Sequence, residues 1–326
     1  MGFLSFDEIP GIKKGLLRAS TIDITPTGEH SCSLLMYNDE PDMGEFSIVV
    51  VLSPSNAAKA LFVDQKLEAF ASNRRGRQVP MAYAPSGYVF KVDDTPSEDY
   101  SVVNMGLTSR YGELTRAIII NNKIYLLGMS RQMYSYDDKQ GWVCLHEEVL
   151  DRSIERLTFS GFLAADGGVE GILVGGIGGE VWRYVDAAWE KLDSPYNTDI
   201  HDILFVEDGH YLLGGQLGIF GCYVDGRWYD YSDELSMGDI EVVVRHAGGL
   251  AVLSAGRVFR LTLDGYKHIG AIEQIGGEQG KIRALAEASR GLWALTQRDI
   301  LRIGEDGVVE TIGLGEILEG LGIELS

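Results

Sequence analysis

Four short strand-like runs recur about every 40 residues from residue 113 onward, cut by glycine and Asp-Gly turns. They predict an all-β chain built as a single β-propeller of seven blades, or six, each of four antiparallel strands. Two further observations agree. The runs are rich in Val, Ile, Tyr and Phe and lack the i, i+3, i+4, i+7 spacing that a helical solenoid of similar period needs. Of the 326 residues, 45% are apolar, with 41 Gly and only 8 Pro, which suits a substantial interior joined by many tight turns. A chain of this length stays one domain in such a fold because radial repetition enlarges it without swelling a single core.

Each predicted blade opens with a charged residue followed by an apolar strand. These openings are Arg116 before AIII, Arg156 before LTFSGFL, Asp202 before ILFV, Glu241 before VVV and Arg283 before ALA. A second strand follows, often ending in glycine: IYLLG, GILVGG, HYLLGG, GLAVLS and GLWALT. The third strand ends at an Asp or Gly turn marked by Asp137, Asp186, Asp225, Asp264 and Asp306. The fourth usually opens with an aromatic, which places Trp142, Trp189 and Trp228 at equivalent positions. A large aromatic side chain there fills the wedge between adjacent twisted sheets.

Residues 113–315 thus read as five clear blades and residues 1–112 as degenerate ones. KALFVDQKLEAFAS reads as a third strand, a turn at Asp64 and a fourth strand, and GYVFKVDDTPSEDYSVV as another pair around Asp93. These turns are only 29 residues apart. RASTIDI, at 18–24, is expected to pair with the last blade and close the ring. The tail, 316–326, reads as a short helix or turn packed outside it.

The segment ILVGGIGGEVWRYVDAAWEKL, at 172–192, resembles blades of bacterial regulator-type sensory propellers, with a glycine-rich second strand, an aromatic-Asp turn and a Trp. Ser135, Asp137, Gly141 and Trp142 are similar to the Asp-box turn of sialidase-like and photosystem-assembly-like propellers. They depart from it in that Lys139 and Gln140 stretch the turn and no Thr precedes Trp142. The resemblance implies a fold and leaves function open, because propellers host many unrelated activities.

Acidic residues outnumber basic ones 48 to 28, for a formal net charge of −20. Such a surface repels nucleic acid and anionic lipid, whose recognition rests on Lys and Arg. It suits either solubility or a basic protein partner. Cys32, Cys144 and Cys222 are far apart and show no CxxC, so buried free thiols in a reducing compartment are expected. Asp7 and Glu8 sit where a signal peptide needs positive charge, and Phe6 where a myristoylation signal needs Ser or Thr. The apolar runs are too short to span a bilayer, so cytoplasmic residence is expected.

The candidate binding residues are Arg116, Arg156, Asp202, Glu241 and Arg283. In a propeller the first strand lines the central channel, so these side chains are candidates for one mouth of it, with Glu155 and His201 alongside. Convergent guanidinium forks suit a carboxylate or phosphate; mixed charges that pair with one another are the plainer account. Other motifs are weaker. GGIGGE at 175–180 lacks the third glycine of a dinucleotide fingerprint and reads as a hairpin. The six histidines form no HExxH or HxH pair, so no metal site is expected. Asp93, Asp94, Glu98 and Asp99 lack calcium-loop spacing, and Arg74, Arg75 and Arg77 read as a solvated turn. No cofactor is implied.

The expected function is a non-enzymatic protein-binding module. Its best form is a bacterial immunity protein or antitoxin that caps a basic toxin, a nuclease being the natural case because it must grip phosphates. The rivals are a glycan hydrolase or lyase, for which Asp202 and Glu241 are the available carboxylate pair, and a scaffold of a larger assembly.

Overall fold

A computed structural model describes residues 17–27, 32–38, 46–53, 58–63, 66–73, 81–91, 99–101, 111–137, 139, 141–151, 159–207, 209–235, 237–264, 268–275 and 280–325. Strands in these residues form seven antiparallel sheets, each with four strands in chain order, so the fold is a seven-bladed β-propeller. The blades fall into two compact units, Met1–Ala71 with Gly76–Ser101 and Ile275–Ser326, and Ser72–Arg75 with Val102–Gln274.

The first unit holds blades I, II and VII. Blade I is Leu17–Pro26, Cys32–Asn38, Ser47–Leu52 and Ala58–Val63. Blade II is Ala69–Phe70, Met81–Tyr83, Tyr88–Lys91 and Asp99–Ser101. Blade VII is Ala284–Ala288, Gly291–Leu295, Asp299–Ile303 and Val309–Gly313. Two expectations are corrected here. Ala58–Val63 is the fourth strand of blade I and Ala69–Phe70 the first of blade II, so the stretch around Asp64 joins two blades. Asp64 itself lies outside the described residues. This explains the short interval to Asp93, also outside them, whose flanking strands Tyr88–Lys91 and Asp99–Ser101 do pair. RASTIDI belongs to the strand that opens blade I, and that strand's other edge takes Ile323–Leu325 in parallel.

The tail contains a short helix, as expected, and its leucines join the core of this unit. The helix Leu314–Glu319 buries Leu314 and Leu318 completely, in one cluster with Trp293, Leu295, Met36 and Ile48. Those two leucines are four residues apart and so share one helix face. The chain then turns at Gly322, φ +75°, into the last strand.

The second unit holds blades III to VI. Blade III is Leu114–Ile120, Lys123–Gly128, Gln132–Asp137 and Gly141–Cys144, with Ser72–Asn73 added in parallel to its first strand. Blade IV is Phe162–Gly168, Gly171–Gly176, Val181–Val185 and Ala188–Leu192. Blade V is Ile200–Glu207, His210–Gly215, Phe220–Val224 and Arg227–Asp230. Blade VI is Ile240–His246, Gly249–Ser254, Arg257–Asp264 and His268–Ile275.

The core of this unit is distributed in wedges between neighbouring sheets. Leu127, Met133, Phe162 and Val174 pack between III and IV, Leu173, Ile200, Ile203 and Leu213 between IV and V, and Leu212, Ile240, Val243 and Val252 between V and VI. The recurrent glycine at the end of the second strand follows from that packing. A Cβ on Gly175 would stand 2.6 Å from Ile200 Cγ2, and one on Gly214 2.5 Å from Ile240 Cγ2. Only a bare backbone lets the next blade's isoleucine come that close.

The three tryptophans do occupy equivalent positions, each across the third-to-fourth-strand pairing from a tyrosine: Tyr136 and Trp142, Tyr184 and Trp189, Tyr223 and Trp228. Trp189 stacks on Phe162 at 5.4 Å and donates its indole N–H to the Leu145 carbonyl at 2.6 Å, so it spans blades III and IV. Beside it, Glu180 receives a two-pronged bond from Arg131 at 2.7 and 2.8 Å and one from Lys191 at 3.0 Å. Burial alone pushes the Glu180 carboxyl up, but the two cations outweigh it and hold it below the usual carboxylate range.

Candidate functional site

The first strands of blades I, III, IV, V and VI each carry a bulge at the same place, skipping Ile22, Thr115, Leu163, His201 and Glu241. The residues just after the bulges, Asp23, Arg116, Ala164, Asp202 and Val242, are therefore equivalent. Carboxylates on this face reach across to the backbone of the next blade. Asp23 accepts from Phe70 N–H at 2.8 Å, Asp166 from Phe205 N–H at 2.8 Å, and Asp202 from Val243 N–H at 2.7 Å. Arg245 answers in the other direction by donating to the Phe205 carbonyl.

Two of the sequence candidates meet. Arg116 of blade III extends past blade IV to Asp202 of blade V at 3.0 Å and donates to the His201 carbonyl at 2.5 Å. Asp202 is 1% exposed, and its two oxygens serve Arg116 and the Val243 amide. Glu241, by contrast, is the bulged residue of blade VI, one position earlier in register. Arg283 precedes the first strand of blade VII and gives its backbone N–H to Leu295. Arg156 lies outside the described residues. So do Asp94, Glu98, Arg74, Arg75 and Arg77, and nothing is described of the Asp99 side chain.

The turn GGIGGE closes blade IV's second and third strands, as a hairpin should, with Gly178 N–H bonded to Asp199 at 2.8 Å. Among the described residues, no group of three or more His, Cys, Asp or Glu is placed to hold a metal ion, and no helix is long and apolar enough to cross a membrane. Cys32 and Cys222 are buried, and burial pushes each thiol up to about 12; Cys144 is exposed, against the expectation for it.

Another edge of this unit was not singled out by the sequence motifs. The second-to-third-strand turn of blade V, Gln216–Gly218, is equivalent to Ile177–Gly179 of blade IV. Where blade IV has Gly178 at φ +67°, blade V has Leu217 at φ +59°, with its side chain 75% exposed. Its N–H is bonded to Asp239 at 2.8 Å, the counterpart of the Gly178–Asp199 bond. Aligning GGIGG with GGQLG reveals the substitution, though not its exposure. Next to the turn lies a groove of about 530 Å³ lined by Met237, Ala255, Phe259, Ile272, Glu234 and Arg257 among others.

No family model matches the chain. Over 191 residues it is 27% identical to the immune protein Tsi7 of Pseudomonas aeruginosa, a match covering 58% of this chain and 61% of the relative. The chain therefore spans about three fifths of the length of the curated relative it matches. Among solved structures, the WD40 β-propeller domain of Doa1 superposes with a TM-score of 0.59 at 9% identity, covering 91% of this chain and 96% of that one. PorZ, a surface component of the type-IX secretion system of Porphyromonas gingivalis, gives 0.54 at 14% identity, covering 75% and 33%. The computationally designed Ika8 protein gives 0.52 at 10% identity, covering 92% and 99%. What these structures share with the chain is the fold, a β-propeller.

Proposed function

We propose that the chain is a non-enzymatic, protein-binding propeller of the immunity type, which neutralises a basic toxin by occupying its cationic site. The observation that carries this reading is the likeness to an immune protein in a chain whose net charge is −20. A toxin that acts on nucleic acid is the natural partner, since an enzyme that grips phosphates is itself cationic. Complementary charge would steer the two together and raise the association rate. Cytoplasmic residence belongs to the same proposal, and fractionation of the producing cells tests it.

The geometry speaks against the glycan-hydrolase alternative. That chemistry needs two carboxylates facing a substrate, one of them able to exchange a proton. Asp202 is buried with both oxygens engaged, and its proposed companion Glu241 stands at a different register.

The test is affinity purification of the protein from its own cells, then measurement of association with the recovered partner across salt concentrations. The expected result is a basic protein whose association rate falls steeply as salt rises, because exposed charges more than about 8–10 Å apart are screened at physiological ionic strength. An acidic or uncharged partner, or salt-independent association, overturns the reading. So does turnover of a purified glycan.

A further inference from the structure

We propose that the turn Gln216–Gly218, with the groove beside it, is the surface on which the cationic partner docks, and that Leu217 is its apolar anchor. This rests on the reading above that the partner is a basic protein.

Three independent features of blades V and VI converge here. The first is conformational. Leu217 holds left-handed backbone, φ +59° and ψ +28°, which a side chain with a Cβ adopts at a cost and which blade IV meets with glycine. Nothing in the fold needs a leucine at this point, since its side chain is 75% exposed and supports no core. A residue that is unfavourable for the turn and idle in the packing is explained if its side chain serves something outside the chain.

The second feature is shape. Gly218 lies against the Met237 carbonyl, 2.7 Å from where a Cβ would stand, and Met237 and Gly238 form one wall of the 530 Å³ groove. Ala255, Phe259 and Ile272 form the rest of its apolar lining, and Ile272 is itself 44% exposed. An exposed leucine on the turn and an exposed isoleucine in the wall of the adjoining groove leave apolar surface uncovered on this edge, as an interaction site does.

The third feature is charge, and it selects the occupant. Four exposed carboxylates, Asp230, Asp233, Glu234 and Asp239, lie on the segment 230–239 that passes the turn and the groove, against one exposed cation, Arg257, in the groove lining, with Asp199 under the neighbouring turn. Asp239 holds the Leu217 amide through one oxygen and Glu234 lines the groove, so the acidic rim and the anchor are one assembly. A cationic surface carrying an apolar side chain at its centre fits it; a nucleic acid or an acidic protein does not.

The experiment uses the full-length chain and, as probe, the basic protein purified with it by affinity capture. Leu217→Gly should weaken binding at least tenfold while the variant melts at or above the temperature of the unaltered protein, because the turn regains its favoured residue. Ile272→Ser should also weaken binding, and Val169→Ser should leave it within twofold, since Val169 is more exposed still but lies in blade IV's first-to-second-strand turn. Unchanged binding by Leu217→Gly, or loss confined to Val169→Ser, overturns the docking surface and leaves the immunity reading standing. If capture yields no basic protein, the immunity reading fails first and the docking surface fails with it.

Discussion

Removing the Asp202 carboxylate tests whether buried side-chain bonds between first strands hold the blades together. In Asp202→Ala, Val243 N–H loses its acceptor inside the protein, which costs about 1–3 kcal/mol for a buried amide left unpaired. Arg116 loses its ion pair as well. Truncating one partner of a fully buried pair costs about 3–5 kcal/mol, but the Arg116 side chain is 23% exposed and recovers water, so about 1 kcal/mol is the better figure. The expected total is about 3 kcal/mol. Asp202→Asn keeps an acceptor for Val243 and sacrifices mainly the charge, so about 1 kcal/mol is expected. Urea unfolding followed by tryptophan fluorescence reads both, as a shift of midpoint at constant slope. The ordering Ala worse than Asn is the decisive result. If the two variants match, or if Asp202→Ala loses under 1 kcal/mol, the carboxylate is not bridging blades V and VI.

Trp189→Ala should cost about 3 kcal/mol, since it removes the stack on Phe162 and the bond to Leu145 and opens the wedge between blades III and IV; a melting temperature near the parent's would contradict this. Ala187 sits at φ +62° in a two-residue hairpin turn where blade V has Gly226, so Ala187→Gly should stabilise by about 0.5 kcal/mol in the same urea assay. His146 is 3% exposed, and burial holds its pKa below the ordinary value of 6.5. The unfolded chain therefore binds the proton first, and the stability His146 supports is present above pH 6.5 and drains away as pH falls below it. Stability measured between pH 7.5 and 5 should decline less steeply in His146→Gln than in the parent.

The sequence was most informative where one chemical need repeats. The Tyr–Trp pairs of blades III, IV and V and the second-strand glycines of blades IV and V are visible in the sequence because each repeats one packing need, bulk on one strand and bareness on another. Register was much less legible. The alignment on charged residues sets Arg116, Asp202, Glu241 and Arg283 side by side, yet Glu241 occupies the first-strand bulge itself where Arg116 and Asp202 follow it, an offset of one position that the charge pattern does not reveal. Blade I is hard to divide from sequence because its strands follow one another without the Asp-aromatic turn, and the stretch around Asp64 imitates such a turn while joining two blades. Leu217 could have been found by aligning blades IV and V turn by turn, since a leucine in a glycine slot is anomalous without any coordinates.

Because Ile323–Leu325 pairs with Leu17–Ala19, the order of synthesis matters to how the chain matures. The second unit is built almost wholly from one unbroken stretch, Val102–Gln274, and its contacts are available as soon as that stretch has left the ribosome. Blades I and II emerge earlier but wait. Trp293, Leu295, Leu314 and Leu318, which cover Met36 and Ile48, are made only after blades III to VI. For most of translation the first unit is therefore an apolar face without its cover and a strand without its partner, the state in which nascent chains are most prone to aggregate or to recruit chaperones. A ribosome stalled before residue 314 should hold a protease-resistant 102–274 core beside an amino-terminal segment that is still readily cut.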